Sequence, residues 1–109
     1  MSKLSKRAGP DPVEPVLIDG IRIEAVHWGK GLGSGQNGGY IAAYDTSTGE
    51  RLWTLQVYQT DYDRQRERDV QDVFISHLSV NEPGGELRVI DEEGREYIVN
   101  LLSRTVSKV

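Results

Sequence analysis

A chain of 109 residues, 37% hydrophobic and 28% charged, has room for one domain around one core. With 13 Lys and Arg against 17 Asp and Glu, its net charge is −4. That is the wrong sign for a protein whose main partner is a nucleic acid. No cysteine is present, which excludes a disulfide framework and thiolate chemistry, and no apolar run reaches the roughly 18 residues of a membrane-spanning helix. Lys3, Lys6 and Arg7 are followed by no apolar stretch of the signal-peptide kind, so a cytoplasmic setting without membrane contact is expected.

Residues 1–12 are polar, basic and broken by proline, the composition of a flexible tail. From Val13 the pattern turns to period two, which predicts a single all-β domain over 13–109. Val13–Ile18 and Ile21–Trp28 flank Asp19-Gly20, a two-residue type I′ hairpin signal. Ile21, Ile23 and Ala25 then share one strand face. Between 29 and 39 six of eleven residues are glycine, too many for a strand or helix. Tyr40–Tyr44 and Glu50–Tyr58 form a second predicted hairpin around Asp45-Thr-Ser-Thr-Gly49, with Trp53, Leu55 and Val57 on one face. Thr60–Asp69 mixes Arg64, Arg66 and Arg68 with four acids and reads as a solvated excursion or one helical turn. Val73–Val80 is a fifth strand. Glu86–Asp91 and Arg95–Leu102 make a third hairpin across Asp91-Glu-Glu-Gly94. About seven antiparallel strands in three hairpins suggest a small sandwich or half-open barrel. The stretch from Gly38 to Trp53 also echoes that from Gly84 to Ile98, as a weak internal repeat would.

Motifs with chemistry are few. Gly33-Ser-Gly-Gln-Asn-Gly38 fits G-x-G-x-x-G, but a strand follows it where a dinucleotide site needs a helix. Lys30 is followed by glycine, so there is no P-loop. No cofactor is expected. His27 and His77 lie on different strands without ligand spacing, so no metal is expected either. Asp69 and Asp72 are better read as caps before the fifth strand than as an acid–base pair. No catalytic residue emerges, which makes an enzyme the less favoured reading.

The aromatics are more informative. Trp28, Tyr40, Tyr44, Trp53, Tyr58 and Tyr62 all fall between 28 and 62, leaving only Phe74 and Tyr97 elsewhere. Trp53 is expected in the core. Trp28, Tyr40 and Tyr62 border the glycine loop or the polar excursion, where large amphipathic rings often meet ligands. Gln36 and Asn37 pair donors with acceptors as a peptide backbone requires, and Gly38 and Gly39 leave backbone groups accessible. The candidate ligand-binding set is therefore Trp28, Gln36, Asn37, Gly38, Gly39, Tyr40 and Tyr62.

Ala43-Tyr-Asp-Thr-Ser-Thr-Gly-Glu-Arg-Leu-Trp53 resembles one blade signature of quinoprotein-type propellers, but the chain is too short to close a propeller, and the likeness is shared turn chemistry. A longer pattern is made of His27-Trp-Gly-Lys, Gly35-Gln-Asn-Gly-Gly-Tyr40, Leu52-Trp-Thr-Leu-Gln-Val-Tyr58 and Asp69-Val-Gln-Asp-Val-Phe-Ile75. It resembles small bacterial proteins of the crocagin type, from the biosynthesis of a ribosomal peptide natural product. The resemblance spans roughly residues 16 to 102 and implies a non-enzymatic peptide-binding protein, its ligand a precursor or modified peptide, with no cofactor. Open sheet edges give a physical route to the same end, since an extended peptide can add to one as a further strand. The rival expectations are an assembly module pairing through its edges, as a homodimer would, and an enzyme helper acting through Asp69, Asp72 or His27.

Overall fold

Asp19 and Gly20 take φ of 50° and 77°, the left-handed pair that a type I′ turn requires, and the chain reverses there as expected. The computed structural model describes residues 10–28, 36–60, 72–81 and 85–109. Its strands are Val16–Ile18 (β1), Ile21–Val26 (β2), Tyr40–Asp45 (β3), Arg51–Gln56 (β4), Ile75–Asn81 (β5), Glu86–Asp91 (β6), Glu96–Asn100 (β7) and Thr105–Lys108 (β8). They form two four-stranded sheets, ordered β1-β2-β3-β4 and β5-β6-β7-β8, with every neighbouring pair antiparallel. The fold is an all-β sandwich of two meanders and not a closed barrel. The tail expected over 1–12 lies outside the described residues up to residue 9.

Register explains the core. In the first sheet Val16, Ile23, Ala43 and Trp53 lie opposite one another in one row, and Ala25, Ile41 and Leu55 in another. In the second, Leu78, Val89 and Tyr97 share a row, as do Val80, Leu87, Val99 and Val106. These rows face each other and form one hydrophobic cluster. A one-residue slip in any strand would send its apolar set to the solvent face.

Two expectations need correction. Eight strands are present where seven were expected, because the chain after β7 turns at residues 101–104 and returns as β8. That turn contains no glycine. Asn100 Oδ1 accepts from Leu102 N and Ser103 N, each at 3.0 Å, and Arg104 takes φ 58°, so Leu101 and Leu102 prolong an apolar pattern across a real reversal. Trp53 does face the core, but β4 is an edge strand, so the indole packs against the buried cluster while remaining only half-buried.

The repeat-like hairpins share their turn chemistry. Asp45 Oδ1 accepts from Ser47 N at 2.8 Å, and Asp91 Oδ1 from Glu93 N at 2.9 Å. They differ in placement, since β3–β4 lies at the margin of its sheet and β6–β7 at the centre of the other.

The sandwich is closed on one side, where β1 lies against β5. On the other side β4 and β8 end their sheets, each paired on one flank only among the described residues. Ile23→Ala, at a site with no exposure, is expected to cost about 3 kcal/mol in urea unfolding, and Trp53→Ala about 2 kcal/mol despite its larger side chain, because part of the ring already meets water.

Candidate functional site

Where the glycine-rich stretch re-enters described structure at Gln36, its side chain turns inward. Gln36 is 2% exposed. Its Nε2 donates to Gly38 O at 2.7 Å and Tyr58 O at 2.9 Å, and its Oε1 accepts from Thr60 N at 2.8 Å. Both amide hydrogens and one carbonyl lone pair are thus engaged by the protein's own backbone. The amide completes the backbone pairing just past the end of β4, where Val57 N donates to Gly39 O at 2.6 Å.

Gly38 and Gly39 are needed for close approach. A Cβ on Gly38 would run into the Val73 carbonyl oxygen and lie 3.0 Å from Phe74 Cδ1. At Gly39, with φ +89°, a Cβ would come within 2.7 Å of Gln36 Nε2 and 3.0 Å of Tyr58 O. Asn37 Nδ2 donates to Asp72 Oδ2 at 3.0 Å. Tyr40 is 3% exposed, on the face of β3 away from the main cluster, level with Val26 and Gln56.

From here a run of contacts crosses to the second sheet. Tyr58 Oη donates to Val73 O at 2.6 Å, and its ring stacks on Tyr97 at 5.1 Å between centroids. Tyr97 Oη donates to Asp91 Oδ2 at 3.1 Å, which also accepts from Arg95 Nε at 2.8 Å. Phe74 N donates to Glu92 Oε1 at 3.1 Å, and Phe74 O accepts from Glu92 N at 2.9 Å. The Phe74 ring is buried edge-on to His27 and Trp28, at 5.3 and 5.6 Å. His27 Nε2 meets Asp11 O at 3.2 Å.

Protonation in this network is fixed. Burial, reinforced by the nearby negative charge of Asp91, pushes the Tyr58 hydroxyl far above its usual range. Burial and Asp91 raise Tyr97 as well. Burial also pushes the Asp91 carboxyl upward, but the Arg95 side chain and the Arg95 and Glu93 N–H groups outweigh it and hold the carboxyl below the ordinary value. Groups locked in one state at neutral pH act as fasteners and not as proton carriers.

The sequence-predicted set therefore divides. Gln36, Gly38 and Gly39 are brought together, but as a buried junction between the sheets, where the Gln36 side chain is occupied by the chain's own backbone, while Tyr40 is buried on the outer face of β3. Asn37 is half-buried against Asp72. Trp28 is 67% exposed and, among the described members of the set, alone offers a large apolar surface. Tyr62 and Asp69, with residues 29–35, lie outside the described residues. His27 follows the end of β2 and His77 lies on β5, and among the described residues no three His, Asp or Glu side chains gather as metal ligands would.

Sequence reasoning missed the side between β4 and β8. There Trp53 and Leu55 reach the margin of the inner face only half-buried, with Val106 and Leu101 packed from the other sheet. The Arg104 guanidinium sits 5.4 Å over the Trp53 ring, a cation–π contact. The period-two pattern of Trp53 and Leu55 was visible, but the position of β4 at a margin was not. No protein-family model matches the chain, and no curated protein matches it significantly.

Two outcomes follow from the junction. Gly20→Ala has positive φ but open space, and should cost about 1 kcal/mol. Gly39→Ala adds the clash with Gln36 and Tyr58 and should cost about 2 kcal/mol more in thermal or urea unfolding. Because Asp91 binds its proton less readily folded than unfolded, its contribution is complete above the unfolded value near 3.8 and fades as pH falls through the lowered value. Asp91→Asn should therefore be less stable at neutral pH and lose less stability between about pH 4 and pH 2 than the parent.

Proposed function

We propose that this protein is a non-enzymatic binder of extended peptides, which it takes up as an added strand beside β4. The observation that carries this reading is the half-exposed Trp53–Leu55 pair next to the flank of β4 that lacks a strand partner among the described residues. Free main-chain groups along such an edge supply affinity, and alternate side chains of the incoming strand fall on the apolar margin. A bulge between Ala43 and Tyr44 leaves Leu52 unpaired and bends the start of β4. That confines regular pairing to its second half, where Trp53 and Leu55 lie. Trp28, exposed above Phe74, is a second aromatic surface for such a ligand. The resemblance to crocagin-type proteins supports the same reading, and with it a ligand drawn from precursor or modified peptides of a ribosomal natural-product pathway.

The test is a library of capped seven-residue peptides screened against the purified protein. Selected peptides should protect the amides of residues 51–56 from hydrogen exchange, bind at least about tenfold more weakly to a folded Trp53→Thr variant, and lose binding when N-methylated at alternate residues on the pairing side. Selection of no peptide, or affinity indifferent both to N-methylation and to Trp53→Thr, would overturn the reading.

A further inference from the structure

Six Lys and Arg side chains fall within the described residues: Arg22, Arg51, Arg88, Arg95, Arg104 and Lys108. Three are matched to carboxylates. Arg22 meets Glu24 at 2.6 Å, Arg88 meets Glu96 at 2.6 Å, and Arg95 meets Asp91 at 2.8 Å. The other three, Arg51, Arg104 and Lys108, have no carboxylate within ion-pair distance among the described residues. All three are exposed, and all three lie on β4, on β8 or in the turn that leads into β8. In a protein of net charge −4, the unmatched positive charge of the described structure is thus concentrated on the two marginal strands of one side.

Their placement adds to this. Lys108 lies opposite Tyr97 in a row that faces the core, so a cation stands at the inner edge of β8. Arg104 covers the Trp53 ring. Arg51 lies opposite Tyr44 on the outer face of β4. A strand laid beside β4 would meet an apolar floor of Trp53 and Leu55 with cations on both sides of it.

Resting on the peptide-binding reading above, we infer that the ligand of this side is an acidic peptide segment, with apolar residues interspersed among Asp or Glu. Charge complementarity selects the partner and speeds the encounter. The same cations act against a second copy of this chain, whose own marginal strands would bring like charges, because cations on edge strands deter self-pairing.

The experiment uses the full chain and three capped heptapeptides that alternate Val with Glu, Thr or Lys. The Glu peptide is expected to bind about tenfold or more tightly than the Thr peptide, and the Lys peptide more weakly than either. That advantage should shrink as salt rises from about 0.05 to 0.5 M. Arg51→Gln and Lys108→Gln should each weaken the Glu peptide about threefold while leaving the Thr peptide unchanged. Equal binding of the Glu and Thr peptides overturns the acidic ligand but leaves peptide binding standing. Failure of all three to bind, with no peptide selected from the library, overturns both. A concentration-dependent dimer that the Gln substitutions tighten and that excludes the Glu peptide overturns the inference in favour of self-pairing.

Discussion

The two sheets meet through a backbone approach that tolerates no side chain. Gly38 lies so close to Val73 and Phe74 that a single methyl group would collide with a carbonyl oxygen. The Gln36 amide stands in for a strand partner to residues 58–60. Because the backbone of residues 36–40 runs against the chain on either side of residues 61–71, the end of the first sheet is positioned against the start of the second. Tyr58, Tyr97 and Asp91 then carry that placement into the second sheet through one stacked pair and a fully buried carboxylate. A buried carboxylate left unpaired would be costly. Here four donors surround it, three from its own hairpin turn and one from Tyr97.

Much of this fold was legible in the residues. Asp19-Gly20 and the Asp-initiated turns at 45 and 91 place the reversals, and the alternation of Ile21, Ile23 and Ala25, or of Leu87 and Val89, places the inner faces. These are local signals with a direct steric or solvation cause. The eighth strand was hidden because its turn uses an Asx contact and a left-handed arginine in place of glycine. The candidate site was legible only in part. Glycine, Gln and Tyr clustered at 36–40 signal a special backbone environment, but composition does not tell whether that environment faces a ligand or another segment of the same chain. Gln36 answers through partners at 58 and 60, some two dozen residues away, and no local pattern encodes them. The margin beside β4 was invisible for the opposite reason, since strand order in a sheet is a property of the whole chain.

The junction and the margin differ in how fully their groups are engaged by the chain itself. Hydrogen-bonded polar groups around Gln36, Tyr97 and Asp91 hold the crossing between sheets, and they are poor places to exchange one partner for another. Among the described residues, the half-exposed Trp53 ring, the cations without a carboxylate partner and the flank of β4 without a strand partner lie together on the β4–β8 side, the side to which the proposed ligand is assigned.

Strand order also bears on how the chain reaches this state. Among the described residues every strand pairs only with its neighbours in sequence, so each meander is assembled by closing loops between consecutive strands, short except for the thirteen residues between β2 and β3, at an entropic cost that rises only slowly with length. The long-range part of the assembly is the docking of one meander on the other through the contacts around Gln36, Tyr58 and Phe74. The architecture thus separates local strand pairing within each meander from the closure of one meander on the other. The residues of the glycine-rich stretch that looked most like a ligand loop are those on which that closure depends.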